Sequence, residues 1–119
     1  GSLRQPGSAM KPLVYLAAPY SNPDPVENTH RVIHLASDLC EEGLVTPVVP
    51  HLTMLWHTVR PHALEHWYAY DLAILKRCDA VLRVEGPSTG ADAEVAFAQA
   101  CSIPVFLDRG ELATWAGQR

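Results

Sequence analysis

The chain has 119 residues, 48 % of them hydrophobic, with 9 basic against 13 acidic side chains, a length that supplies one compact core and not two. A net charge of −4 without any Lys/Arg cluster excludes the basic face that a long nucleic acid needs in order to release its counterions. No run approaches the roughly 18 consecutive apolar residues of a membrane span, and no secretory pattern opens the sequence, so no membrane partner is expected.

Residues 1–9, from Gly1 to Ala9, read as a cloning remnant or disordered leader, leaving 10–119 as the single expected domain with Met10 read as the native start. From Met10 onward short apolar runs alternate with longer amphipathic ones, the rhythm of an α/β domain on a small parallel sheet. Leu13 to Ala18 reads as a strand covered on both faces. Asp24-Pro25-Val26-Glu27 supplies an N-cap, a proline at the first helical position and a glutamate three after the cap. Val26, Thr29, Ile33, Ala36 and Cys40 then repeat at helical spacing, and Gly43 marks the stop.

Leu44 to Val49 reads as a second strand, placed at a sheet edge by Pro47, which has no N–H for a ladder. Leu52 to Arg60 follows neither period. Pro61 is expected to open a helix running to about Arg77, followed by a strand over Asp79–Val84 and a loop over Glu85–Gly90. A helix over Ala91–Ala100, a strand over Ile103–Leu107 and a last helical turn over Leu112–Trp115 complete the pattern. The three cysteines, Cys40, Cys78 and Cys101, each sit in an apolar segment without a C-x-x-C pair, and read as small buried thiols of a cytoplasmic protein.

Two carboxylates fall where the pattern wants apolar residues. Leu64, Trp67, Tyr68, Leu75 and Cys78 define the stripe of the helix after Pro61, and Asp71 lies on it, four residues from both Trp67 and Leu75. Ala91, Ala98 and Cys101 share a face of the next helix, and Glu94 lies on that face, within the first turn. A carboxylate withdrawn from water costs several kcal/mol unless paired, so two of them in one small domain call for a site. The plainer alternatives are a salt bridge from Asp71 to Lys76 or Arg77, or exposure at a helix edge, and for Glu94 a favourable position against the helix dipole.

In open parallel sheets ligands sit beyond the carboxyl ends of the strands, where the strand order reverses. The first and third strands should be neighbours there, bringing Ala18-Pro19-Tyr20-Ser21 beside the Glu85–Gly90 loop. Ser88-Thr89-Gly90 offers hydroxyls, flexible backbone and a helix N-terminus, the parts that hold a phosphate group, although the same residues also make an ordinary helix cap.

Three ordered motifs carry a resemblance: Tyr15-Leu16-Ala17-Ala18-Pro19-Tyr20-Ser21, Asp71-Leu72 ahead of Cys78-Asp79-Ala80-Val81, and Ser88-x-Gly90-x-x-x-Glu94. Together they resemble the nucleoside 2-deoxyribosyltransferase-like superfamily, which includes 2'-deoxynucleoside 5'-phosphate N-hydrolases, and the likeness runs from Leu13 to Leu107. It implies a flavodoxin/Rossmann-like three-layer sandwich, no cofactor, and cleavage of the bond between a base and a deoxyribose. It also implies that Glu94 attacks the anomeric carbon, Asp71 handles the proton of the leaving base and Tyr15 positions the nucleophile.

Chemically this is retaining-glycosidase logic, in which burial of Asp71 would raise its pKa in the needed direction. Transferases of the superfamily acting on free nucleosides carry an acid six residues before the nucleophile, and the phosphate-dependent hydrolases carry a serine. Ser88 stands there in this chain, so the resemblance implies a nucleoside 5'-monophosphate hydrolase; Gly90, from the helix start, and Ser21, from the first-strand loop, are the further phosphate contacts expected from their position. The first-strand loop lacks the glycine, serine and arginine of characterised hydrolases. A transferase moving deoxyribose between bases and a non-catalytic nucleotide sensor are the competing readings.

His51, just past the second strand, is placed to read a base edge or is a surface histidine. Trp56, Trp67 and Tyr68 are expected first as core or dimer contacts and second as a stacking platform. A homodimer is expected from the resemblance and because so small a domain leaves one side of its cleft open. His62-Ala63-Leu64-Glu65-His66 fits the H-x-x-E-H pattern of inverted zinc peptidases. The chain lacks the large helical scaffold that presents their third ligand, and no metal is expected there.

Overall fold

The computed structural model describes residues 10–119, so the expectation for residues 1–9 lies outside the described residues. Four strands, β1 (Leu13–Ala17), β2 (Thr46–Val48), β3 (Ala80–Arg83) and β4 (Val105–Phe106), form one parallel sheet in the order β2-β1-β3-β4. Among the described residues five helices surround it: α1 (Pro25–Glu42), α2 (Thr53–Val59), α3 (Leu64–Leu75), α4 (Thr89–Ala100) and α5 (Arg109–Gly117). This is a flavodoxin-like three-layer α/β sandwich. The strand order reverses between β1 and β3, and β2, with Pro47, is an edge strand.

Alternation along β1 divides the interior. Val14 and Leu16 pack with Val32, Ala36 and Leu39 of α1 and with Leu112 and Ala116 of α5. Tyr15 and Ala17 face the other way, against Leu75 of α3, Cys78, and Ala91 and Ala98 of α4.

The α1 boundaries follow the expected signals. The Asp24 carboxylate accepts from the Glu27 N–H, and Gly43 closes the helix in the left-handed region. The buried stripe differs: Thr29, Val32, Ala36 and Leu39 face the sheet, whereas Val26, Ile33 and Cys40 are exposed. Ile33 lies one residue, about 100°, around the helix from Val32.

Four other expectations change. The stretch from Leu52 to Arg60, which follows neither period, begins on the last residue of a 3-10 turn, Pro50–Leu52, and continues as α2, a helix with no buried residue. α3 starts at Leu64 rather than Pro61, because Ala63 is extended and no side chain caps the helix, and it ends in 3-10-type bonds that tighten the chain through Arg77 and Cys78. Only Cys78 of the three thiols is buried. The expected last turn is the full nine-residue α5, capped by Asp108. Among the described residues no helix is long and apolar enough to cross a membrane.

Candidate active site

A cleft of about 560 Å³ opens at the carboxyl ends of β1 and β3, with α3 and the start of α4 as walls. Asp71, Glu94, His51, Ser21, Ser88 and Gly90 all line it. Tyr15 lies beneath, fully buried, and its hydroxyl donates to a carboxylate oxygen of Glu94. These seven residues, to which the sequence assigned catalytic or substrate-binding roles, are therefore at or directly under one cavity.

Glu94 reaches its place because α4 begins at Ser88, whose hydroxyl accepts from the Ala91 N–H at 3.0 Å. The helix starts on the small residues Gly90 and Ala91, so Glu94 falls on the sheet-facing side, 8 % exposed. The dipole of the first turn is served instead by Asp92, which is exposed and bridges to Arg83 at 3.0 Å.

Asp71 occupies the cleft wall rather than a core stripe. Leu64 and Tyr68 of α3 are exposed, and in this helix only Leu75 is fully buried, because the amino-terminal half of α3 overhangs the cavity. No ion pair joins Asp71 to Lys76 or Arg77 among the described residues, and Arg77 bonds its own helix at the Ala73 carbonyl. One Asp71 oxygen, Oδ1, is buried without any hydrogen-bond partner, a costly arrangement unless a bound molecule supplies the donor.

Burial pushes the Asp71 carboxyl up to about 7, and the charge of Glu94 pushes in the same direction. Burial also pushes Glu94 up to about 7, against the Tyr15 hydrogen bond and the positive charge of Arg83, which both pull it down. The two acids are thus unequal: only Glu94 has a donor and a cation favouring its anion. The Tyr15 phenol is held far above its ordinary value, by burial first and then by the charges of Glu94 and Asp71, so it remains a donor.

His51 is 4 % exposed and its Nε2 lies 2.9 Å from the Pro19 carbonyl, which can only accept. The proton is therefore on Nε2. Burial lowers its pKa, opposed by that carbonyl, and Nδ1 is left as an unpartnered acceptor. Trp67 and Tyr68 line the cleft, whereas Trp56 packs edge-on against Trp67 at 5.2 Å. The expectation that these aromatics belong to the core is overturned: Trp56 and Tyr68 are exposed and Trp67 is half-buried, because α2 and the first half of α3 stand outside both interior clusters.

Three supporting residues escaped the sequence reading. Arg83 donates to the carbonyls of Val84 and Gly86, fixing the loop ahead of α4. Gly86, at φ +123°, sits so close to Pro19 that a Cβ there would lie 2.9 Å from its ring, which locks this loop against the one after β1. Asn28 donates from Nδ2 to the carbonyls of Tyr20 and Asn22 at 2.9 Å each. A stripe drawn through Thr29, Val32 and Ala36 would have exposed Asn28 as a buried polar residue; Arg83, at the end of an apolar strand, gave a weaker signal. His57 also lines the cleft, with Nδ1 accepting from the Trp67 indole at 2.7 Å.

Among solved structures, a 2-deoxyribosyltransferase from the psychrotolerant bacterium Bacillus psychrosaccharolyticus superposes with a TM-score of 0.54 at 19 % identity, covering 78 % of this chain and 69 % of that one. That likeness is one of fold. No curated protein matches the sequence. Residues 12–108 match a family model described as "Domain of unknown function (DUF7768)", and the span from β1 to Asp108, which holds the whole cleft, makes this chain a member of that family.

Proposed function

We propose that the chain is an N-glycosidase that hydrolyses the base–sugar bond of a nucleoside 5'-monophosphate. The observation that carries this reading is the unequal pair of buried carboxyls over Tyr15, at the sheet end where α/β folds bind ligands. Glu94, helped as an anion by Tyr15, attacks the anomeric carbon as its bond to the base breaks. Asp71, the acid without a stabilising partner, gives its proton to the departing base. A water, deprotonated by Asp71, then releases the sugar from Glu94.

Ser88, Gly90 and Ser21 receive the 5'-phosphate. Asp71 and Glu94 are the only acids lining the cleft among the described residues, and Asp92, in the first turn of α4, lies outside that lining and is paired with Arg83. Trp67 and Tyr68 offer faces for a base, and His51 offers an acceptor for one of its N–H groups. The fold likeness to a 2-deoxyribosyltransferase supports a second reading, transfer of the sugar to another base.

The deciding experiment offers nucleosides and their 5'-monophosphates, with and without a second free base, and follows base release by chromatography. Base release from a monophosphate alone is expected. Product only in the presence of an acceptor base makes the chain a transferase, and no base release from any compound overturns the enzymatic reading.

A second copy of the chain is proposed to cover α2. Leu52, Leu55, Val59 and Leu64 are all at least 59 % exposed beside the cleft, and no charged residue occurs from Leu44 to Val59, so two such surfaces meet without repulsion. Leu55→Glu should convert a dimer to a monomer in light scattering; a monomeric wild-type chain removes this part of the proposal.

A further inference from the structure

Two pairs of histidines stand four residues apart in this chain, and their rings are arranged differently. His62 and His66, the pair in the H-x-x-E-H motif, are stacked at 4.0 Å with only 14° between their planes. Imidazole lone pairs lie in the ring plane, so those of stacked rings run side by side and do not meet at one point. His62 also precedes α3, outside the regular spacing of the helix.

His30 and His34 are both within α1, on its exposed side. Their rings are inclined at 69° and their Nε2 atoms are 3.2 Å apart. Two nitrogens about 2.0–2.1 Å from a common metal are separated by about 3.3 Å at a tetrahedral angle and about 2.9 Å at a right angle. The observed spacing lies between these values.

We propose that His30 and His34 form a bidentate site for a divalent transition metal of the zinc and nickel class. The two Nε2 atoms are within hydrogen-bond distance, and with both rings carrying their hydrogen on Nδ1 both Nε2 lone pairs are open to a metal. Among the described residues no group of three His, Cys, Asp or Glu is placed to hold a metal, so water fills the remaining coordination positions and the ion is exchangeable. The site is on the outer face of α1, apart from the cleft, and is independent of the reaction proposed above.

Titration of the purified chain with zinc chloride and with nickel chloride, read by calorimetry and by the thermal midpoint, tests the site. Wild-type protein should bind one ion per chain and gain thermal stability with metal concentration. Binding should weaken at least tenfold in both His30→Ala and His34→Ala and stay unchanged in His66→Ala. Alanine at exposed helical positions preserves α1, so a loss of binding reports the ligands. Magnesium chloride should give no shift, because that ion selects oxygen donors. No zinc or nickel binding by the wild type overturns the proposal, as does wild-type affinity in His34→Ala or a loss confined to His66→Ala.

Discussion

Val14 and Leu16 project from β1 toward α1 and α5, whereas Tyr15 and Ala17, on the same strand, project toward α3 and α4. On the first side every member of the buried cluster is aliphatic. On the second a buried phenol leads to a buried glutamate, with a partly buried aspartate across the cleft. One side is assembled from contacts that favour folding outright; the other holds groups whose ionised forms burial opposes. Both sides are packed, and strand alternation confines the buried ionisable groups of the proposed site to one of them.

The largest effects should come from one substitution on each side, and they should be opposite in kind. Glu94→Gln removes the proposed nucleophile and should lower kcat by on the order of 10⁴-fold or more, while the thermal midpoint holds or rises because a neutral amide replaces a buried carboxylate. Leu39→Ala, at a position 1 % exposed on α1, should cost about 2–5 kcal/mol of stability with kcat/KM unchanged wherever the variant is folded. If Leu39→Ala loses activity while folded, or Glu94→Gln loses stability while keeping turnover, the division between the faces is wrong.

The sequence made this division partly legible. The edge position of Pro47 and the caps at Asp24 and Ser88 follow from local chemistry, which is strong where proline, glycine and capping residues act on their own backbone, whereas the pairing of the first strand with the third followed from the general rule for open parallel sheets. Asp71 and Glu94 were visible as charges on otherwise apolar spacing. The stripes themselves were less legible: Ile33 and Cys40 match a helical period yet face solvent, since period alone does not say which arc meets the sheet. In α3, Leu64, Trp67 and Tyr68 look like core because a cleft wall and a core stripe share one composition. Arg83 and Asn28 act on carbonyls of loops, contacts that only the assembled fold creates.

Asp71→Asn sharpens the comparison through pH. Asp71 and Glu94 both have folded-state values near 7, above the ordinary 3.8 and 4.5, so protonation favours the folded chain. Their contribution to stability is full below those ordinary values and is lost as pH rises through about 7. Asparagine cannot ionise, so Asp71→Asn should gain on the wild type in thermal midpoint as pH rises from about 5 to 8. Activity should move the other way, falling about 10²–10⁴-fold. The wild-type kcat/KM profile should be a bell near neutrality, and its alkaline limb should vanish in this variant. An unchanged profile would remove Asp71 from the proton transfer.

Tyr15→Phe acts at the boundary between the faces. It removes the donor to Glu94 and leaves the packing of the ring, so the effect should be the size of one hydrogen bond to a charged group, about 1.5–3 kcal/mol or on the order of 10–100-fold in kcat. Without that donor the glutamate should hold its proton to higher pH, moving the acid limb of the profile upward. A limb that stays in place would mean that Tyr15 supports the strand alone.

The smallest effect belongs to Ser88, where one hydroxyl serves both the fold and the proposed phosphate. Its oxygen accepts from the Ala91 N–H, which leaves its hydrogen free to be donated to a ligand. Ser88→Ala removes both functions and should cost about 1 kcal/mol of stability, together with a rise in KM of about fivefold to tenfold for a 5'-monophosphate. Ser88→Asp separates them, because aspartate caps a helix as well as serine does but opposes a phosphate. The Asp variant should therefore keep the wild-type thermal midpoint while KM rises for the monophosphate and falls for the free nucleoside, whose 5'-hydroxyl can donate to the new carboxylate. If KM for both compounds stays at the wild-type value in Ser88→Asp, the serine is a helix cap only, and the chemistry of this face ends at Glu94.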